Sequence, residues 1–184
     1  MKIIIFEGIA SSGKTTIERL LAEALPNSRI ITEGETLMSL IDNRDPNLAL
    51  KHLTGLLTQW RKETVGYLIV DRFHFTHAFR TRATLKDFSS IESLLQKLGQ
   101  TLLVLLTIDD NNIKERIEAT SKYRKGGWKK GAPGTTEEKA AYYTEQQERL
   151  KRFQQETTLS SLLLDTTDKN WPGCLTQIMN ALQI

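Results

Sequence analysis

The chain has 184 residues, 39% of them apolar and 26% charged, and a net charge of +3. That length supports one domain with a full core and not two comfortable ones, so a single domain over 1–184 is expected. The charge excess is too mild to mark a nucleic-acid binder on its own, and a lone cysteine, Cys174, excludes a disulfide framework.

The chain opens on "KIIIF", read as a buried strand over Lys2–Glu7. Glu7 interrupts the apolar stretch too early for a secretory signal. No apolar run approaches the roughly 20 residues of a membrane helix. A soluble, cytoplasmic protein with no membrane partner is expected, and a reducing cytosol suits Cys174, whose place beside Trp171 and Pro172 reads as packing.

Behind the first strand comes "GIASSGKT", Gly8 to Thr15. Its spacing, glycine, four residues, then Gly-Lys-Thr, is that of a phosphate-binding loop. Gly8 and Gly13 permit close backbone approach, and the N–H groups from Ala10 onward, through Ser11, Ser12, Gly13, Lys14, Thr15 and Thr16, can turn inward on an anion. Lys14 supplies a cation for terminal phosphates and Thr15 a hydroxyl for Mg²⁺. The loop opens a helix over Lys14–Leu25, stopped by Pro26 and Asn27.

A second strand, Ser28–Thr32, is followed by a helix over Leu48–Thr64 with Trp60 on its apolar face. The third strand, Tyr67–Asp71, ends in "DRFHF". At the carboxyl end of a buried strand, Asp71 can hold the water shell of a Mg²⁺ on Thr15, and Arg72 can reach a transferred phosphoryl group. Phe73 and Phe75 can stack on a planar acceptor. Arg80, with Arg44 and Arg82, can bind an acceptor phosphate. His74 and His77 lack the further ligands a metal site needs.

A helix over Ser89–Leu98 leads to a fourth strand, Thr101–Ile108, and a helix over Asn112–Thr120. Then comes "SKYRKGGWKKGAPG", residues 121–134, basic and glycine-rich. It is read as a flexible lid whose cations, Lys122, Arg124 and Lys125 among them, arrive over bound substrate and exclude water. A helix over Glu137–Gln155, a strand over Leu162–Asp165 and a helix over Leu175–Leu182 complete the chain. Continuous apolar strands alternating with helices predict a doubly wound α/β fold with a parallel sheet.

Taken together, "FEGIASSGKTT", "ITEGE", "DRFHFTHAF", "EEKAAYYTEQQERLKRF" and "LLLDTTDKNW" resemble the thymidylate kinase and deoxynucleoside kinase families of P-loop phosphotransferases. The resemblance implies a three-layer P-loop NTPase fold, a five-stranded parallel sheet in the order 2-3-1-4-5, and ATP with Mg²⁺ as donor. It places Lys14, Arg72, Asp71 and Glu33 at the reaction, Glu33 as the base toward a hydroxyl acceptor. It puts Arg116, Thr166 and Thr167 around adenine.

Departures from the family pattern concern the acceptor. Thr32 stands where thymidylate kinases carry an arginine. Thr144 to Gln147, not arginines, follow Tyr142 and Tyr143. The stretch from Glu33 to Leu48 is short, and the third-strand motif begins with Asp71 where deoxynucleoside kinases have Glu. The expected function is ATP-dependent phosphoryl transfer to a nucleoside or nucleoside monophosphate, leaning to a hydroxyl acceptor. A non-nucleotide alcohol as acceptor, or a nucleotide-binding module with little turnover, is the alternative. The partners are ATP and a small acceptor; nucleic acid is not expected, and a homodimer is open.

Overall fold

The computed structural model describes residues 1–123 and 134–184, apart from the side chains of Met38 and Tyr123. Five apolar runs form five parallel strands: β1 (Lys2–Gly8), β2 (Ser28–Ile31), β3 (Tyr67–Asp71), β4 (Gln100–Thr107) and β5 (Ser160–Asp165). They pair in the order β2-β3-β1-β4-β5, with Ile4 of β1 opposite Ile69 and Leu102. Sheet and order agree with the expectation.

The continuous apolar strands follow from a sheet covered on both faces. Successive side chains of β1 enter opposite cores. Ile3 and Ile5 pack with Leu53, Trp60, Phe75, Ile91 and Phe153. They meet helices α3 (Pro46–Trp60), α4 (His74–Thr81), α5 (Ser89–Leu98) and α7 (Thr136–Glu156). Ile4 and Phe6 pack with Ile17, Leu21, Cys174 and Ile178, on α1 (Lys14–Ala24) and α8 (Trp171–Leu182). A smaller cluster, Ile9, Ile108, Ile113, Ile117 and Tyr143, joins the start of the phosphate loop to α6 (Asp110–Tyr123) and α7.

Helix starts follow their caps. Asp45 accepts from the N–H of Asn47 at 2.8 Å, and Pro46 opens α3 two residues ahead of the expected Leu48. Asn170 accepts from the N–H of Gly173 at 3.1 Å, and α8 starts at Trp171, not Leu175. One helix, α2 (Glu33–Thr36), is too short for periodicity to reveal.

Among the described residues no helix is long and apolar enough to cross a membrane. Phe73 stacks on Trp60 at 5.2 Å between ring centroids, and Phe75 meets Phe153 edge to face at 5.6 Å. Phe75→Ala is expected to destabilise the fold by about 3–5 kcal/mol. The check is a lower urea midpoint at unchanged slope.

Candidate active site

The loop between β1 and α1 is shaped by two glycines. Gly8 sits at φ +146, where a Cβ would lie 2.5 Å from the carbonyl oxygen of Leu106. Gly13 sits at φ +91, where a Cβ would strike the Trp171 ring at 2.2 Å. No side chain caps α1 at Gly13, so the positive end of the helix faces the loop uncovered. Lys14 is buried and donates from Nζ to the carbonyls of Gly8 at 3.1 Å and Ile9 at 2.9 Å. Burial, and then the charge of Arg72, lower its pKa to about 8.

Arg72 approaches the same point from β3. Its Nη1 donates to the Gly8 carbonyl at 3.0 Å, and its Nε forms an ion pair with Glu33 Oε1 at 3.1 Å. Its backbone holds the left-handed conformation, φ +59, and its N–H bonds the Phe6 carbonyl at 2.9 Å. Burial works against its charge. Glu33, Asp71 and Glu7 outweigh burial and hold its pKa above the ordinary value.

Glu7 reaches this turn from the adjacent strand. Its buried carboxylate accepts from the N–H of Phe73 at 2.8 Å and of Thr76 at 3.2 Å, and from the Thr76 hydroxyl. An acid on β1 thus caps α4 and fixes the turn that carries Asp71 and Arg72. The sequence offered one signal for it, a charge at the end of a buried strand.

Glu33 is carried by α2, which three neighbours hold. The Thr36 hydroxyl donates to the Asp71 carbonyl at 2.8 Å. His77 and His52 donate from Nε2 to the carbonyls of Thr36 at 2.8 Å and Glu35 at 3.0 Å. Burial lowers the His77 pKa to about 4, so the ring is a neutral donor. Thr32, in place of the family's arginine, caps α2: its N–H donates to Glu35 at 3.0 Å.

Glu18 lies one turn beyond Lys14 on α1, and Asp71 faces it from β3. The two carboxyls share a hydrogen bond, and one buried oxygen of each receives no N–H or O–H donor from any other described residue. Burial, and then Asp71, raise the Glu18 pKa to about 8.

Arg116 spans two loops, donating to the carbonyls of Ser11 at 3.4 Å, Thr167 at 3.3 Å and Thr166. Thr166 departs from its expected place at adenine. It is fully buried, its hydroxyl 2.9 Å from the carbonyl of Ser12 and 2.8 Å from that of Thr107, and it ties β5 to the phosphate loop. Thr167 is half-buried; its hydroxyl accepts from the N–H of Asp109 at 2.7 Å and donates to Asp165.

Phe73 and Phe75 also depart from expectation. Both are fully buried in the core, out of reach of an acceptor. The aromatic walls fall to Phe79 and Tyr142, which line a cavity of about 830 Å³ with Arg80. Of the lid residues, Lys122 is exposed in the last turn of α6; Arg124 and Lys125 lie outside the described residues. Gln147, noted in the sequence only as a departure, clamps the end of β4 to α7. It accepts from the N–H of Ile108 at 2.9 Å and donates to its carbonyl at 2.7 Å.

No family model matches the chain, and no curated protein matches it in sequence. Solved structures do. The chain is similar to the YorR protein of Bacillus subtilis, solved with phosphorylated GDP, at 18% identity and TM-score 0.72, over 98% of this chain and 95% of that one. The shikimate kinase of Bacteroides thetaiotaomicron is similar at 12% identity and TM-score 0.62, over 99% and 98%. The thymidylate kinase of Candida albicans is similar at 17% identity and TM-score 0.56, over 98% and 90%. At these identities the likeness is one of fold, the α/β fold of P-loop kinases.

The Glu18 carboxyl gives a test. Its folded pKa, about 8, lies above the ordinary 4.5, so between those values the folded state holds a proton the unfolded state lacks. Its contribution to stability is therefore present in acid and lost as pH rises through that window. Glu18→Gln is expected to gain stability relative to the parent from about pH 5 to about pH 8. Parallel stability profiles in chemical denaturation would refute the buried pair.

Proposed function

We propose that the chain is an ATP-dependent phosphotransferase of the P-loop kinase type, acting on a nucleoside or a nucleoside monophosphate. One observation carries the reading: two buried cations, Lys14 and Arg72, both donate to the carbonyl of Gly8, at 3.1 and 3.0 Å, beside an uncapped helix N-terminus. Like charges brought together out of water suit a bound polyanion. A triphosphate offers such an anion, and the loop N–H groups offer it donors.

The residues present fit a divalent cation. Asp71 holds a buried oxygen that receives no donor from any described residue but Glu18, and Thr15 has an exposed hydroxyl on the first turn of α1. In this reading Thr15 and Asp71 hold Mg²⁺, which neutralises charge on the phosphates when bound. Lys14 turns from the loop carbonyls to the terminal phosphate, and Arg72 stabilises the charge spread over the phosphoryl group in transfer. Glu33, oriented by its ion pair with Arg72, takes the proton of an acceptor hydroxyl. Arg116, bridging the phosphate loop and the β5–α8 loop, stands at the adenine end. Lys122, Arg124 and Lys125 belong to the lid in this reading. Use of ATP suits a cytoplasmic protein.

Two substitutions test the assignment. Lys14→Ala is expected to lower transfer by at least about a hundredfold. Its thermal midpoint should not fall, because the change relieves the crowding of two buried cations. Unchanged turnover in the folded variant would end the reading. Glu33→Gln is expected to lower transfer to a hydroxyl by about 10²–10⁴ while ATP binding holds. Full activity of that variant would point to an acceptor that is already a phosphate.

A further inference from the structure

A buried carboxylate stands apart from the charges around the phosphate loop. Glu92 lies in the first turn of α5. Its Oε1 meets His74 Nε2 at 3.2 Å and accepts from the Thr157 hydroxyl. Its Oε2 accepts from the N–H of Thr158 at 3.0 Å and from the Thr158 hydroxyl at 2.7 Å. Burial works against the charge. Hydrogen bonds from His74, Thr157 and Thr158 outweigh burial and hold the pKa at about 2. An ionised carboxylate only accepts, so His74 donates to it from Nε2. One side chain thus joins three elements. His74 is the first residue of α4, Thr157 is the C-cap of α7, and Thr158 leads into β5. One turn further along α5, Gln96 donates to the Thr158 carbonyl at 3.2 Å and closes the same junction.

Stability alone does not account for this pair. His74 is fully buried, edge-on to Phe75 at 4.8 Å between ring centroids and to Phe73 at 5.9 Å. Its Nδ1 has no partner among the described residues. A charge and an orphaned ring nitrogen beside aromatic rings cost desolvation that apolar side chains of the same volume avoid. What a buried polar pair can secure in exchange is a single position for the groups it joins.

That position matters because of the turn ahead of it. Arg72, two residues before His74, holds the left-handed conformation at φ +59. A residue with a long side chain keeps that backbone where its surroundings over-determine it. From β1, Glu7 takes the N–H groups of Phe73 and Thr76, and the Phe6 carbonyl takes the N–H of Arg72. From α5, the Glu92–His74 bond holds the residue at which the turn becomes helix. Two buried carboxylates on different elements therefore grip the turn, one by its backbone and one by a side chain.

We propose that Glu92 and His74 are positioning residues for Arg72. The carboxylate fixes the His74 ring, the ring fixes the start of α4, and the turn so held aims the Arg72 guanidinium at the Gly8 carbonyl and at Glu33. This rests on the phosphotransferase reading above, which gives Arg72 its task. Neither residue touches the reacting groups; both act through the arginine.

The full chain is tested in three variants. Glu92→Gln keeps the volume and an acceptor oxygen. Glu92→Leu removes the junction and strands His74. His74→Phe combined with Glu92→Leu replaces the whole pair by apolar volume, so this double variant folds even where Glu92→Leu alone does not. Two measurements are made well below each thermal midpoint. The first follows the Nε–H resonance of Arg72, assigned with Arg72→Lys. Exchange of that proton with water is expected to quicken at least about tenfold in the double variant, and to stay near the parent's rate in Glu92→Gln. The second is transfer from ATP with Mg²⁺ to nucleosides and nucleoside monophosphates. In the double variant kcat is expected to fall about ten- to a hundredfold with KM for ATP unchanged, and Glu92→Gln is expected to restore most of it.

An Arg72 proton that exchanges at the parent's rate in the double variant overturns the inference and leaves the phosphotransferase reading standing. So does a double variant that loses stability while its kcat is unchanged, the result a merely structural pair gives. A quickened Arg72 proton in a chain whose parent transfers to no acceptor fails the phosphotransferase reading and keeps the positioning of the arginine.

Discussion

Two cations on one carbonyl oxygen set the terms for the rest of this structure. The Gly8 carbonyl takes a hydrogen bond from Lys14 and another from Arg72. For that oxygen to face both, residue 8 must lack a Cβ, because the Leu106 carbonyl fills the space. Residue 13 must lack one too, because the Trp171 ring lies against it. Arg72 must leave β3 through a left-handed turn, and the turn needs an anchor, which Glu7 supplies across the sheet. Repulsion between the cations is moderated by acids on two different elements, Glu33 on α2 and Asp71 on β3. Each acid in turn acquires a constraint. Glu33 needs α2 held in place, and Asp71 shares a hydrogen bond with Glu18.

Around this charged centre the scaffold is held by neutral groups. The His77 ring and a threonine pin α2, a threonine hydroxyl ties β5 to the phosphate loop, and a glutamine amide locks the end of β4. None of these adds a field to the site, so the balance among Lys14, Arg72 and the acids is left to those groups. Such fixed dipoles and fixed cations are what preorganised stabilisation of a transferring group requires.

The sequence made some of this legible and hid the rest for physical reasons. The strands were readable because both faces of the sheet are covered, and the phosphate loop because its backbone demands glycine at two fixed positions. Glu7 was opaque, since its partners lie 66 and 69 residues away. Phe73 and Phe75 follow Arg72 directly, and nearness in sequence suggested nearness to the acceptor; the turn into α4 sends both rings into the core instead. Thr166 was expected around adenine, and its burial against the carbonyls of Ser12 and Thr107 makes it a strut instead. Of the arginines, Arg44, Arg80 and Arg82 were legible as candidates for an acceptor phosphate, and Arg149 was not. Arg44, Arg80 with Arg82, and Arg149 come from three distant stretches that the fold brings to one cavity.

The two ends of α4 treat charge in opposite ways, and that contrast bears on what each end can do. At the amino end, cations are buried but answered by acids on neighbouring elements. A ligand there exchanges one set of partners for another: Lys14 leaves carbonyls for phosphate, and little net charge is created. Affinity from such an exchange is modest, and its use is in positioning and in stabilising a charge that develops during reaction. At the carboxyl end, Arg44, Arg80 and Arg149 are held by carbonyls, and among the described residues no carboxylate lies within ion-pair distance of them. A ligand anion there removes a standing repulsion as well as making new hydrogen bonds, so binding energy concentrates in that pocket. The contrast follows from where the acids are: at the amino end the buried cations are balanced by neighbouring carboxylates, and at the carboxyl end the guanidiniums are not.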